Sequence, residues 1–150
     1  MNNRDKGFSL IELITVMAIM AIIIGILAPQ YMKYVVKSRK SVDVRTIDEI
    51  SRAAILSATE EDIYESLDTG EYIITFMDGE YFGITGPASK STDALKKGVE
   101  SLVGELENIT LQHTGWGTLQ IHANVSTKKA MTITYTNDGL DSYEDYISSP

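Results

Sequence analysis

From Phe8 to Ala28 the chain reads FSLIELITVMAIMAIIIGILA, 21 residues with a single charge, Glu12, and no charge at all from Leu13 to Met32. Wound as a helix at 1.5 Å per residue, this stretch is roughly 31 Å long, the thickness of a bilayer's hydrocarbon core. A helix apolar on every face does not suit the interior of a domain this small, because no side of it can turn to water. The segment reads as a membrane span rather than a buried core helix.

A cleaved secretory signal has a different layout, with a basic region and apolar core first and small residues marking a cut after them. Here the polar stretch MNNRDK ends in Gly7 and the apolar run begins at once. Pro29, Gln30 and Tyr31 stand where a small-residue cleavage site would be. A peptidase acting near the start of such a chain cuts before the apolar segment and leaves the span on the product.

Charge divides the rest. Residues 1–59 carry eight Lys/Arg against five Asp/Glu, a net of +3, and residues 60–150 carry five against sixteen, a net of −11. A surface that acidic repels phosphate backbones, so no nucleic-acid partner is expected. The absence of cysteine excludes a disulfide scaffold, thiolate zinc sites and thiol nucleophiles.

Glu12 is the exception inside the span. A carboxylate in a transmembrane helix costs roughly 2.5–3.5 kcal/mol on insertion scales and usually marks function, unless it lies near enough to the headgroups to stay hydrated. No Lys or Arg occurs between Lys6 and Lys33 to pair with it. Cleavage after Gly7 would create a new ammonium on Phe8, four residues away. That cation could pair with Glu12 of its own chain or of a neighbour.

Gly7 followed by Phe8-Ser9-Leu10-Ile11-Glu12-Leu13 resembles the class III signal of type IV pilins and type II secretion pseudopilins. The resemblance is most specific over residues 1–35. It implies that a membrane prepilin peptidase cuts between Gly7 and Phe8, that Phe8 is then N-methylated, and that Glu12 is the residue that steers assembly. Methylation keeps the amine charged. The domains expected are a leader, 1–7, a transmembrane and filament-core half of the N-terminal helix, 8–29, and an extracellular head, 30–150, that includes the amphipathic half of the helix.

Gly25 and Pro29 suit the same picture. Proline lacks an N–H, so its bond to the carbonyl of residue 25 is missing. Gly25 is itself a poor helix former, by about 1 kcal/mol relative to Ala. Two weaknesses act on one turn, which reads as a kink or, as the resemblance implies for assembled filaments, a melted stretch. One count opposes the implied orientation. Two basic residues precede the span, Arg4 and Lys6, and five follow it closely, Lys33, Lys37, Arg39, Lys40 and Arg45. The positive-inside rule is weak for long flanks, and the processing motif overrules it.

Beyond Pro29 the pattern turns amphipathic. Val36, Ile47, Ile50, Ala54 and Ala58 fall at or near helical spacing, with Arg39, Lys40, Asp43, Arg45, Asp48, Glu49 and Arg52 on the other positions. This predicts one helix from about Phe8 to about Ser57. Strands are expected at 72–76 and 81–85 around Asp78-Gly79, a pair that favours tight hairpins, and at 119–125 and 131–135 around a turn at 126–129. Between the hairpins, residues 91–107 read as a helix capped by Ser91, Thr92 or Asp93, with Leu95, Val99, Leu102 and Leu106 as its apolar stripe. The fold class is α+β, the long helix packing its distal half on an antiparallel sheet. The pilin fold implied by the resemblance agrees, with residues 60–110 as its variable connecting region.

No catalytic residue, cofactor site or metal site is expected. His113 and His122 lack ligand-like partners at useful spacing, and Trp116 between two glycines reads as a turn packing its ring on the sheet. The acidic run from Asn137 to Asp145 reads as a solvated tail or as a Ca2+ loop like that of the major pseudopilins. The Gram-negative pilins usually close a C-terminal loop with a disulfide. With no cysteine, this chain must hold that loop by packing, hydrogen bonds or a metal.

The reading is a structural, non-enzymatic prepilin that polymerises through its N-terminal helix. The expected partners are other copies of itself in a helical filament, minor pilins, prepilin peptidase, the inner-membrane assembly machinery and, before assembly, the lipid bilayer. It is expected to cross the cell membrane once, head outside, and then to enter a surface pilus serving adhesion, motility or aggregation. The alternatives are a pseudopilin of a secretion or competence system and, more distantly, a single-pass membrane protein with an acidic binding domain.

Overall fold

Asp78 and Gly79 both hold positive φ, 51° and 91°, the left-handed pair that a two-residue hairpin turn requires. They join strand β1 (Gly70–Met77) to β2 (Glu80–Thr85). In this computed structural model, which describes residues 9–127 and 130–148, a second hairpin pairs β3 (Thr118–Val125) with β4 (Met131–Asn137). Part of the connection expected at 126–129 lies outside the described residues. The four strands form one antiparallel sheet in the order β2-β1-β3-β4. Ile74 stands opposite Ile121, which stands opposite Tyr135, so the period-2 pattern turns one apolar face inward.

Helix α1 runs from Leu10 to Ser57, close to the expected span. The chain divides into two units, residues 1–38 and 39–150, and α1 contributes residues to both. In the second unit Ile47, Ile50, Ala53 and Ala54 of α1 are buried together with Tyr72, Ile74, Phe76, Leu119, Ile121 and Ala123 of the sheet. Each buried Ile, Leu or Phe stabilises the unit by about 1.5–3 kcal/mol. The α+β architecture, helix against antiparallel sheet, is the one expected.

Two local readings of the middle helix need correction. The middle helix, α3 after the short α2 (Glu61–Ser66), covers Ser89–Val103 and stops four residues before Glu107, because Gly104 adopts φ 87° and leaves the helix. Leu106 is buried from a following 3-10 turn, whereas Leu102 is 50% exposed. None of Ser91, Thr92 and Asp93 is the cap. Ala88 holds that position, and the Ser91 and Thr92 hydroxyls donate back to its carbonyl. Residues 60–110, expected as the connecting region, hold the β1–β2 hairpin expected within them.

Candidate functional site

In the first unit the apolar side chains of α1 have nothing to pack against. Leu10 is 76% exposed, Ile22 63% and Ile26 65%, and no residue of the most apolar 18-residue window is buried. Among the described residues this is the one helix long and apolar enough to cross a membrane.

Its start is set by Ser9 and Glu12. The Ser9 backbone N–H donates to Glu12 Oε2 at 2.9 Å, and Leu13 N–H donates to the Ser9 carbonyl at 3.2 Å. Serine followed three residues later by glutamate is the capping-box spacing, in which the carboxylate satisfies a donor that the helix leaves free. The ammonium expected on Phe8 falls, with Gly7, outside the described residues. The sequence signal for this cap is the Ser9-x-x-Glu12 spacing itself, which the charge of Glu12 alone does not reveal. Further along, α1 stays helical through Gly25 and Pro29, and nothing lies within 4 Å of where a Gly25 Cβ would stand.

The second unit holds a network that the helical pattern did not reveal. Asp43, expected on the polar face of the helix, is 1% exposed. Its Oδ1 accepts the Gln112 N–H at 2.7 Å, and its Oδ2 accepts the His113 N–H and the Trp116 Nε1–H, each at 2.9 Å. Three donors replace the water a buried carboxylate has lost. They arrive from about 70 residues downstream, beyond the reach of any local periodicity.

One turn earlier, Lys40 Nζ lies 2.9 Å from Asp141 Oδ2 and 5.3 Å above the Trp116 ring. His113 Nε2 meets the same Asp141 oxygen at 2.6 Å. Beyond forming the expected turn, Trp116 is 1% exposed and edge-on to His113, Tyr143 and Tyr146, with centroids 5.0, 5.3 and 5.8 Å apart. The Asn137 amide donates to the Trp116 and Asp141 carbonyls and accepts the Tyr143 N–H. Asp138 Oδ1 accepts the Thr118 N–H at 2.6 Å.

The acidic run is therefore no solvated tail. It folds back through helix α4 (Tyr143–Ser148), whose Tyr143 is buried and whose hydroxyl is pushed far above its ordinary pKa by that burial. Among the described residues no group of three or more His, Asp or Glu side chains gathers to hold a metal. His122 is satisfied separately, by Glu71 Oε1 at 2.9 Å and Thr136 Oγ1 at 2.7 Å.

Hydrogen bonds first from Lys40 and then from His113 hold the Asp141 carboxyl below its ordinary range. A carboxyl depressed on folding adds stability that is complete above its unfolded value, about 3.9, and is lost as pH falls through the lower folded value. Asp141 is 41% exposed, so screening keeps the effect small. Asp141→Asn should lower the midpoint of thermal unfolding at pH 7, and the gap from the parent should close below about pH 4. Trp116, the only tryptophan, reports both.

Comparison with known proteins places these features. Residues 2–28 match the prokaryotic N-terminal methylation motif. The matched residues take in the polar start of the chain and most of the apolar stretch that opens α1. It is 29% identical over 136 residues to a type IV major fimbrial protein, FimA, of Dichelobacter nodosus, covering 91% of this chain and 72% of the relative. A second FimA of that organism is 31% identical over 97 residues, 61% of this chain and 59% of the relative. No solved structure matches. Over most of its length the chain is thus similar to type IV major fimbrial proteins, and its N-terminus carries the methylation motif.

Proposed function

We propose that this chain is a structural pilus subunit, cut between Gly7 and Phe8, methylated on Phe8, and polymerised through residues 8–29 into a filament of its own copies. The observation that carries the reading is the wholly unburied apolar stretch that opens α1 and lies within the match to the methylation motif. Lipid satisfies that stretch before assembly. Outside lipid, at roughly 25 cal/mol per Å2, its exposure to water would cost tens of kcal/mol, so the helices bundle with one another. The head, residues 30–150, then lies outside the cell, first beside the membrane and then on the surface pilus. Prepilin peptidase and the inner-membrane assembly machinery act on the chain in turn, and minor pilins join it in the fibre. The turn between Gly25 and Pro29, weakened twice, is the place where α1 stretches when the fibre packs.

Mass spectrometry of the mature protein should find Phe8 first, heavier by one methyl group. An intact Met1, or a cut elsewhere, would remove the reading. Glu12→Gln separates the two roles of that side chain, since glutamine still fits the capping box but carries no charge. The variant should be cut and membrane-inserted yet depleted at least about ten-fold from sheared fibres, equivalent to roughly 1.4 kcal/mol of lost pairing. Undiminished fibres would leave Glu12 as a helix cap and nothing more.

A further inference from the structure

The second unit displays two exposed patches of opposite charge, each built around an apolar side chain. On α1, Arg39, Val42 and Arg45 follow at three-residue spacing and share a face. All three are exposed, Val42 by 40%. On the first hairpin, Gly83 pairs with Thr75 and Tyr81 with Phe76, so Phe82 is an extra residue bulged out of the ladder. Bulges on edge strands re-aim a side chain. Phe82 is 70% exposed beside Met77 at 43%, with exposed Asp78 and Glu80 between them.

Strand β2 is an edge strand, and beyond its hairpin partner only Glu80 is bridged, to Thr110, among the described residues. A hollow of about 410 Å3 opens among Met77, Asp78, Glu80, Tyr81 and Phe82. Among the described residues no ion pair engages Arg39, Arg45, Asp78 or Glu80. Four charges stand unpaired, two of each sign, and each pair flanks an apolar side chain.

We infer that the Arg39–Val42–Arg45 face of one copy docks on the Met77–Phe82 hairpin of the next copy. Val42 covers Phe82, and the two guanidiniums meet Asp78 and Glu80. Guanidinium forks suit carboxylates because two parallel hydrogen bonds form at once. Two different patches on one unit make a head-to-tail contact, which does not close on itself as a symmetric dimer does and so propagates. The inference rests on the pilus-subunit reading and names the contact between neighbouring globular units within it.

The chain has no cysteine, which makes the test direct. In Val42→Cys/Phe82→Cys, oxidation of sheared fibres should give a ladder of disulfide-linked dimers, trimers and longer species, whereas either single variant should give no ladder. Arg39→Glu/Arg45→Glu should lower fibre yield about ten-fold, as should Asp78→Asn/Glu80→Arg. Asn is chosen at residue 78 because the backbone there holds φ 51°. Combining the two sets should restore most of the yield, with Trp116 emission confirming that each variant head is folded. Normal fibres whose double-cysteine form stays monomeric, or in which Phe82→Cys reacts freely with a maleimide, would overturn the contact. Absence of fibres from the parent chain would instead overturn the pilus reading itself.

Discussion

Asp43→Ala should destabilise the head by about 3–5 kcal/mol, since each buried donor left without its acceptor costs about 1–3 kcal/mol. The substitution strands the Gln112 and His113 amides and the Trp116 indole N–H, all three bound to that one carboxylate. Buried donors left without acceptors bear the full desolvation cost. For a unit of this size the unfolding midpoint should fall by more than about 10 °C. Thermal unfolding of the full chain in detergent, followed through Trp116 emission, reads the loss. Asp43→Asn keeps an acceptor oxygen and should lose about 1–2 kcal/mol, the difference between a charged and a neutral acceptor. If Asp43→Ala unfolded within about a degree of the parent, the three bonds would contribute nothing and the C-terminal segment would be held by packing alone.

Gly139→Ala should have an effect of similar size by a different route. A Cβ at that position would overlap the Gly115 carbonyl oxygen and the Trp116 carbonyl, all backbone atoms with no rotamer to yield. Gly139 N–H already donates to the Trp116 carbonyl at 2.9 Å, so the two segments cannot part without breaking that bond. Overpacking a tight site costs about 1–3 kcal/mol, more where only backbone can move, and we expect about 3 kcal/mol. Denaturant unfolding should show a lower midpoint with an unchanged slope. Gly83→Ala is the control, because nothing lies within 4 Å of its Cβ position. Equal midpoints for the two variants would show that the close approach at Gly139 carries no weight.

Both predictions concern the part of the fold that sequence pattern did not display. The long helix was legible because its apolar run is unbroken and its distal half keeps a helical stripe, with Ile47, Ile50 and Ala54 all fully buried. Both hairpins were legible because strands show a period of two and because Asp78-Gly79 is a turn with its own backbone requirement. Short-range signals carried that much. The length of α3 was misread because leucines continue in register past Gly104, and the backbone, not the stripe, ends the helix.

The site divides the same way. Glu12 was evident as a charge where none is affordable in lipid, and its cap with Ser9 was spelled in four consecutive residues. Asp43 looked like one more polar residue on a polar face. Its three donors belong to a loop about 70 residues away, whose path depends on the sheet having formed. Likewise, the acidic run after Asn137 gave no hint of Lys40, the cation that folds it back. Long-range polar pairing leaves no periodic trace, which is why these residues were misassigned while the apolar core was not.

The closure of the C-terminal segment is made of an ion pair, hydrogen bonds and stacked edges of rings, with no covalent link. Such a closure needs no oxidant and no isomerase, and it can form as soon as the strands beside it do. A head melted by heat should regain its native emission on cooling within the time of ordinary sheet formation, in dithiothreitol as readily as in air. Mechanical pulling that opens this segment should likewise be reversible, so a fibre of such heads can be strained repeatedly without accumulating mispaired links.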